Sequence, residues 1–281
     1  MKRRQQIKFL RLFLETYWND PGLAFWRAKE AALISQASFL FPMLDLGCAD
    51  GLFLSTLAQG KAIKDGEVVG IDLRQEVLKV SSRIKLYKTV ICGDISKLPF
   101  MNRSFNSVLS NCVLEHIQPL EQTLSELSRV ASKGSQLIFT VPDKLFGENL
   151  LPVRLARLFG FKKLAQKHKD AVNRDLMHIN CYDKNWWEDK LFASGFRMKY
   201  CEPYLSNYEL LIWYLFFYAA RIKINRFNLA GILNYSVGHS GNLLGRLLKE
   251  MIIFVSFVIF ALSLGGRRTK GNALFIVGEK L

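Results

Sequence analysis

Met43-Leu44-Asp45-Leu46-Gly47-Cys48-Ala49-Asp50-Gly51 is the stretch that decides the fold. A short apolar run stops at Leu46, two glycines follow within five residues, and a helical pattern opens at Leu52. Glycines at such a strand-to-helix turn let the backbone approach a ligand closely and leave helix N-terminal amides free to bind it. Outward from this point the same rhythm repeats. Val68–Ile71, Thr89–Cys92, Ser107–Ser110 and Gln136–Val141 are short apolar runs, each bounded by turn residues and separated by helix-length connections. Strands alternating with helices predict βαβ units and a parallel sheet. Two further strands are expected near Met198–Cys201, after a helix containing Trp186, Trp187 and Leu191, and at Ala273–Val277.

Polar groups recur where these strands end. Asp72 closes the second run, Gly93-Asp94-Ile95 follows the third and Ser110-Asn111-Cys112 the fourth. In a doubly wound sheet ligands bind beyond the carboxyl ends of the strands, and an acid at the tip of the second strand can accept hydrogen bonds from both ribose hydroxyls. One glycine loop alone is weak evidence; four polar strand ends in order are much stronger.

The strings LDLGCADG, GIDL, CGDISKLPF, LSNCVLEHI and LSRVASKGSQLIFTVPD together resemble a class I S-adenosylmethionine-dependent methyltransferase of the quinone and small-molecule group. The resemblance spans residues 40–202, with Ala273–Lys280 as the closing strand. It implies a Rossmann-like α/β fold, mostly parallel with an antiparallel last strand, and S-adenosyl-L-methionine as cofactor. It also implies that Asp45, Gly47, Cys48, Ala49 and Gly51 hold the methionine part, that Asp72 with Leu73 takes the ribose flank, and that Asp94 and Ile95 flank the adenine. Asn111 matches the position that faces the cofactor. Ala49 stands where the family has a middle glycine, and Ser132-Lys133-Gly134-Ser135 replaces its usual turn before the fifth strand. His116, His178 and Tyr182 are the candidate catalytic residues: a histidine as base for a hydroxyl or phenol acceptor, and the tyrosine closing the pocket. Ordinary loop contacts explain the two histidines equally well. Displacement at an activated sulfonium needs orientation rather than a metal, and no metal is expected.

The flanks are different in kind. The 281 residues carry a formal charge of +15, of which +10 falls in residues 1–30 and 207–281. Phe9, Leu10, Phe13, Leu14 and Tyr17 predict an amphipathic helix over 7–18. After a turn at Asn19-Asp20-Pro21-Gly22, a second helix is expected over 23–36 with Arg27 and Glu30 on its exposed side. Leu210–Ala220 and Met251–Leu264 are apolar runs too short to span a bilayer in the ordinary way. Basic residues border both, and Trp213, Tyr214 and Tyr218 suit a headgroup boundary.

The expected organisation is therefore an N-terminal lid of amphipathic helices over 1–39, a methyltransferase domain over 40–206, a membrane-associating hydrophobic insertion over 207–266 and a closing strand within 267–281. Two crossings would carry the basic 221–249 stretch outside, so a monotopic or re-entrant attachment at the cytoplasmic face is preferred. Lys2, Arg3, Arg4, Lys8 and Arg11 would add contact with anionic lipid. The acceptor expected is a membrane-embedded or lipid-linked molecule, such as a quinone precursor or glycolipid; a soluble acceptor beneath a hydrophobic cap and a non-catalytic scaffold are the alternatives. Nucleic acid is disfavoured, since the basic excess avoids the catalytic part and no Asn/Asp-Pro-Pro-aromatic motif follows the fourth strand. A nicotinamide enzyme would need GxGxxG spacing. Five scattered cysteines without a CxxC pair read as buried free thiols.

Overall fold

The computed structural model describes residues 3–64, 66–224, 227–240, 243–265 and 270–281. Lys2, Arg226, Arg267 and Arg268 lie outside the described residues. The strands are β1 (Met43–Leu46), β2 (Val68–Asp72), β3 (Thr89–Cys92), β4 (Phe105–Asn111), β5 (Ala131–Pro142) and β6 (Phe196–Tyr204), with a two-residue ribbon β7–β8 (Lys223–Ile224, Phe227–Asn228) and a last strand β9 (Ala273–Lys280). Seven of them form one sheet in the order β3-β2-β1-β4-β5-β9-β6. β1 to β5 pair in parallel, and β9 runs antiparallel to both β5 and β6.

β1 and β2 are buried at every position because helices cover both faces of a parallel sheet. This also explains why their sequences read as near-continuous apolar runs rather than as alternating ones. The chain order reverses direction at β1, where β2 lies on one side and β4 on the other, and the crevice between the loops after β1 and β4 is the switch point where such sheets bind ligands. Residues 132–135, expected as a turn before β5, fall within its range: they are the extra residues of an irregularity between the Phe105–Ala131 and Ser107–Gln136 pairs, with Gly134 at φ 76°.

The helices after these strands are α3 (Leu52–Gln59), α4 (Gln75–Ser81), α5 (Leu120–Val130), α6 (Leu151–Leu158), α7 (Lys162–Asp175) and α8 (Lys184–Ala193). Ahead of the sheet come α1 (Arg3–Thr16) and α2 (Pro21–Ile34), and between β6 and β9 lie α9 (Asn207–Ala220), α10 (Leu229–Ser240) and α11 (Leu243–Ser263). The first two helices begin a few residues earlier than periodicity suggested. Asp20 is the reason for α2: its carboxylate accepts the Leu23 amide at 3.0 Å, and Pro21 occupies the first turn, where no amide is needed.

α2, α9 and α11 pack together, and this packing corrects the picture of free amphipathic flanks. A side chain at Gly22 would meet the Phe217 amide nitrogen at 2.8 Å, so the glycine lets α2 and α9 approach backbone to backbone. Phe260 of α11 stacks on Phe25 at 4.4 Å and touches Phe216 at 4.7 Å. Trp213, expected at a headgroup boundary, is buried, and the Tyr214 hydroxyl sits 3.0 Å from His168 Nε2. Lys8 donates to the Gly60 carbonyl and Arg11 lies over the Phe257 ring, so part of the basic first helix is held against the protein. Among the described residues no helix is long and apolar enough to cross a membrane.

A buried ion pair joins the two flanks. Lys29 Nζ of α2 contacts Glu209 Oε1 of α9 at 2.8 Å, while Glu209 Oε2 accepts the Ser206 amide and completes a capping box. Removing one member of such a pair leaves an uncompensated buried charge. Glu209→Ala is therefore expected to lower unfolding stability by about 3–5 kcal/mol, and the joint replacement Lys29→Met with Glu209→Leu to cost less than that single change; urea unfolding of the two variants beside wild type checks it.

Candidate active site

The glycine loop after β1 adopts the conformation its residues permit. Gly47, Ala49 and Gly51 all have positive φ, at 70°, 48° and 74°. A side chain at Gly47 would also strike Val113 at 2.5 Å, so that position has two independent reasons to be glycine. Ala49 takes the left-handed conformation despite its methyl, and its amide donates to Asp72 Oδ2 at 3.0 Å.

The loop is tied to the sheet through its own backbone. The amides of Gly47 and Cys48 both reach the Ile71 carbonyl, and Asp50 accepts the Leu52 amide at 3.0 Å. The helix-start amides are thus less free than the sequence suggests: Leu52 is capped, and only the amides beyond it lack a side-chain cap. Asp45 and Cys48 lie beneath the loop rather than facing outward. Asp45 accepts the Tyr87 hydroxyl at 2.6 Å, and burial pushes its carboxyl up to about 7.

At the neighbouring strand tip, Asp72 Oδ1 accepts the Arg74 amide at 2.9 Å and its guanidinium at 3.3 Å. Leu73 is exposed, and across the β2–β3 register the loop after Cys92 brings up Asp94, whose Oδ1 holds the Ser96 amide. That bond holds the exposed Asp94 carboxyl below its ordinary range, while Ile95 is buried.

The largest departure from the sequence reading concerns Glu30. It is not on an exposed face; it is fully buried at the carboxyl ends of β4, β5 and β6. Its Oε1 receives Trp26 Nε1 at 2.7 Å, Cys112 Sγ at 2.8 Å and the Tyr204 hydroxyl at 2.9 Å. Its Oε2 receives Arg27 at 2.8 Å and Asn111 Nδ2 at 3.1 Å. Thr140 closes the ring, with its hydroxyl 2.9 Å from Asn111 Oδ1. Asn111, expected to face the cofactor, thus serves to anchor α2. Burial works against the Arg27 charge, yet Glu30 beside it outweighs that and keeps the guanidinium ionised.

Beside this hub lies a cavity of about 140 Å³, between the loop after β4 and the α2–α9 cap. Trp26, Arg27, Trp213 and Phe217 supply its cap side; Cys112, Glu115, His116 and His178 its sheet side. The two histidine rings lie 5.6 Å apart, and His116 Nδ1 is 2.9 Å from the Met177 carbonyl. Burial lowers both, His178 to about 3, so His178 stays neutral and is a weak base. Its Nδ1 has no partner among the described residues.

Tyr182 is not brought into this cavity. It stacks on Trp186 at 3.6 Å and borders a separate hollow with Pro119 and Asn180. Glu115, passed over in the motif LEHI, is in the cavity wall instead. It is buried, its Oε2 has no partner among the described residues, and burial pushes it up to about 8 with the Glu30 charge adding to the effect. The expectation of buried thiols also needs amending, since Cys92 is exposed.

Residues 44–139 match the family model of the methyltransferase domain. Among curated proteins, the chain is 31% identical over 176 residues to the malonyl-[acyl-carrier protein] O-methyltransferase of Herminiimonas arsenicoxydans, which covers 59% of this chain and 65% of that protein. It is 30% identical over 110 residues to the demethylmenaquinone methyltransferase of Symbiobacterium thermophilum, covering 37% of this chain and 43% of that protein. The chain thus spans less than two thirds of the length of these relatives. A Thermotoga maritima structure described as an S-adenosylmethionine-dependent methyltransferase, possibly of histamine, superposes with a TM-score of 0.54 over 98% of both chains at 14% identity. A [4+2]-cyclase superposes equally well, with a TM-score of 0.54 over 90% of this chain and 80% of that one at 15% identity, so the shared architecture speaks for the fold alone. Residues 44–139 thus carry a methyltransferase domain, and the chain as a whole shares the fold of S-adenosylmethionine-dependent methyltransferases.

S-adenosylmethionine is the cofactor that domain and fold imply, and the residues present fit it. The positive-φ loop has glycine at its two tightest positions. Among the described residues Asp72 Oδ2 receives only the Ala49 amide, which leaves acceptor capacity for a ribose hydroxyl, and Leu73 offers an apolar shelf between Asp72 and the Asp94 tip.

The raised carboxyls carry a stability signature. Such an acid keeps its proton in the folded chain where the unfolded chain has lost it, so its stability contribution is complete below its ordinary pKa and is lost as pH rises to the folded value. For Glu115 that window runs from 4.5 to about 8, and Asp45 acts with the same sign up to about 7. His116 and His178, lowered by burial, act with the opposite sign below their ordinary 6.5, so unfolding free energy should fall between about pH 6.5 and pH 8, and Glu115→Gln should remove on the order of 1–2 kcal/mol of that fall in paired urea titrations.

Proposed function

We propose that this chain transfers a methyl group from S-adenosylmethionine to an oxygen or carbon of an acceptor bound in the Arg27–Glu115–His178 cavity, and that the acceptor is membrane-embedded or lipid-linked. The observation that carries the first part is the buried oxygen of Glu115 on the cavity wall, without a partner among the described residues and next to the loop packed on Gly47. S-adenosylmethionine supplies a methyl group already activated on a sulfonium. The chain must then bring an acceptor into line and, for a hydroxyl, phenol or acidic carbon, accept its proton.

Glu115 suits the second task. A carboxyl raised to about 8 is a stronger proton acceptor than an ordinary one and is ionised in part near neutral pH. His178, held neutral, suits orientation through its free Nδ1. Arg27 brings a guanidinium to the same wall, with one nitrogen engaged by Glu30; its Nε and Nη2 have no acceptor among the described residues and can hold a polar acceptor group.

The lipid-linked acceptor draws support from three features. Trp26, Trp213 and Phe217 give the cavity a largely aromatic cap side. α11 exposes Leu243, Leu247, Met251, Phe254, Val258 and Leu262 at helical spacing, a pattern suited to a membrane interface. Demethylmenaquinone methyltransferase, a relative over 110 residues, is named for a quinone.

Incubating the full chain with radiolabelled S-adenosylmethionine and a host-membrane extract should place label in the organic phase. Asp72→Ala should weaken cofactor binding by on the order of 1.5–3 kcal/mol. Glu115→Gln should slow transfer about 100-fold at unchanged cofactor affinity. Label confined to the aqueous phase would point to a soluble acceptor beneath the cap, and absence of both transfer and cofactor binding would overturn the methyltransferase assignment.

A further inference from the structure

The hairpin formed by α6 and α7 has two unlike ends. Along its length it is a built structure: Val153, Ala156, Ala165 and Val172 are buried, Glu148 pairs with Lys169 at 2.5 Å and with Arg157, and His168 meets the Tyr214 hydroxyl. At its tip the sequence Leu158-Phe159-Gly160-Phe161-Lys162-Lys163-Leu164 turns apolar side chains outward. Leu158 is 76% exposed, Phe159 68%, Phe161 61% and Leu164 58%. Four large apolar residues on one ordered turn are not the scattered exposure of an ordinary surface.

The charges around the tip indicate what covers it. Residues 151–168 contain Arg154, Arg157, Lys162, Lys163 and Lys167 and no acidic residue. Arg157 is paired with Glu148, whereas Lys162, Lys163 and Lys167 are exposed and make no ion pair among the described residues. Aromatic and leucine side chains rimmed by lysines match the two layers of an anionic bilayer surface, the rings entering the acyl boundary and the ammonium groups staying among the headgroups.

We infer that the 158–164 tip inserts into the interface of an anionic lipid bilayer. It deepens the membrane-borne acceptor proposed above and rests on it. The placement has a consequence for the site. α7 is 14 residues long, about 21 Å at the helical rise, and its far end leads into Leu176 and His178 of the cavity wall. A tip seated in the bilayer therefore fixes the distance between the membrane surface and the cavity through a single rigid helix. The tip is distinct from the apolar face of α11, and its role does not depend on that face.

The test is co-sedimentation of the full chain with vesicles of phosphatidylcholine alone or with phosphatidylglycerol added, alongside cofactor titration. Wild type is expected to sediment with the anionic vesicles and to be released by salt. Phe159→Ser with Phe161→Ser should reduce that binding roughly tenfold or more, and Lys162→Glu with Lys163→Glu should abolish the preference for anionic vesicles. Both variants should bind S-adenosylmethionine as wild type does, which shows that the fold and the cofactor site survive. Vesicle binding undiminished in the Phe159/Phe161 variant overturns the inference while leaving attachment elsewhere on the chain. Wild type that ignores anionic vesicles overturns both the inference and the membrane-borne acceptor, and cofactor binding then shows whether the methyltransferase assignment stands by itself. A tip variant that loses self-association rather than vesicle binding assigns the tip to a second copy of the chain and overturns it too.

Discussion

A single buried carboxylate organises this molecule. Glu30 comes from the second N-terminal helix, yet its partners are the end of β4, the loop after it and the end of β6. A fully buried carboxylate is tolerable only when its oxygens are satisfied, and here five donors and the Arg27 charge do so. The requirement works in both directions. Glu30 cannot be buried without the strand ends, and Cys112, held at φ 51°, is positioned partly by Glu30. The N-terminal helices are therefore walls of the site rather than an appended lid.

The sheet was legible because its signals are local. β1 and β3 begin and end where their apolar runs do, and the runs at β2, β4 and β9 were found with short ends. Gly47, Asp72 and Asp94 declared themselves because each sits at a strand end, where chain order alone places it near the ligand crevice. The strands β5 and β6 extend beyond their apolar cores, since residues such as Ala131 and Glu202 pair through their backbones whatever their side chains.

What escaped the sequence depends on tertiary partners. Arg27 and Glu30 are charged residues on a short helix, and by spacing alone they belong to a solvated face. The clue was the remainder of that helix: PGLAFWRAKEAALI is apolar on nearly every side, so its charges had no solvated face to occupy. Glu115 was hidden for another reason. It lies in a three-residue turn of 3₁₀ helix, too short to have a readable face, and its burial comes from tertiary neighbours, among them Ile179 and Asn180, whose amides bond its carbonyl. Tyr182 shows the opposite error, where closeness in sequence to His178 did not bring closeness in space.

The hydrophobic segments before β9 divide their roles along the same physical line. Trp213 and Phe217 are consumed by the cap and the cavity, while the outward face of α11 is left apolar. If Glu30 couples the cap to the sheet, the most direct measurement is hydrogen exchange in Glu30→Gln, a substitution that keeps the shape but cannot accept every donor. Joint loss of protection is expected in α2, around residues 110–115 and at Thr140 and Tyr204. Loss confined to α2, with the strand ends as protected as before, would contradict that coupling.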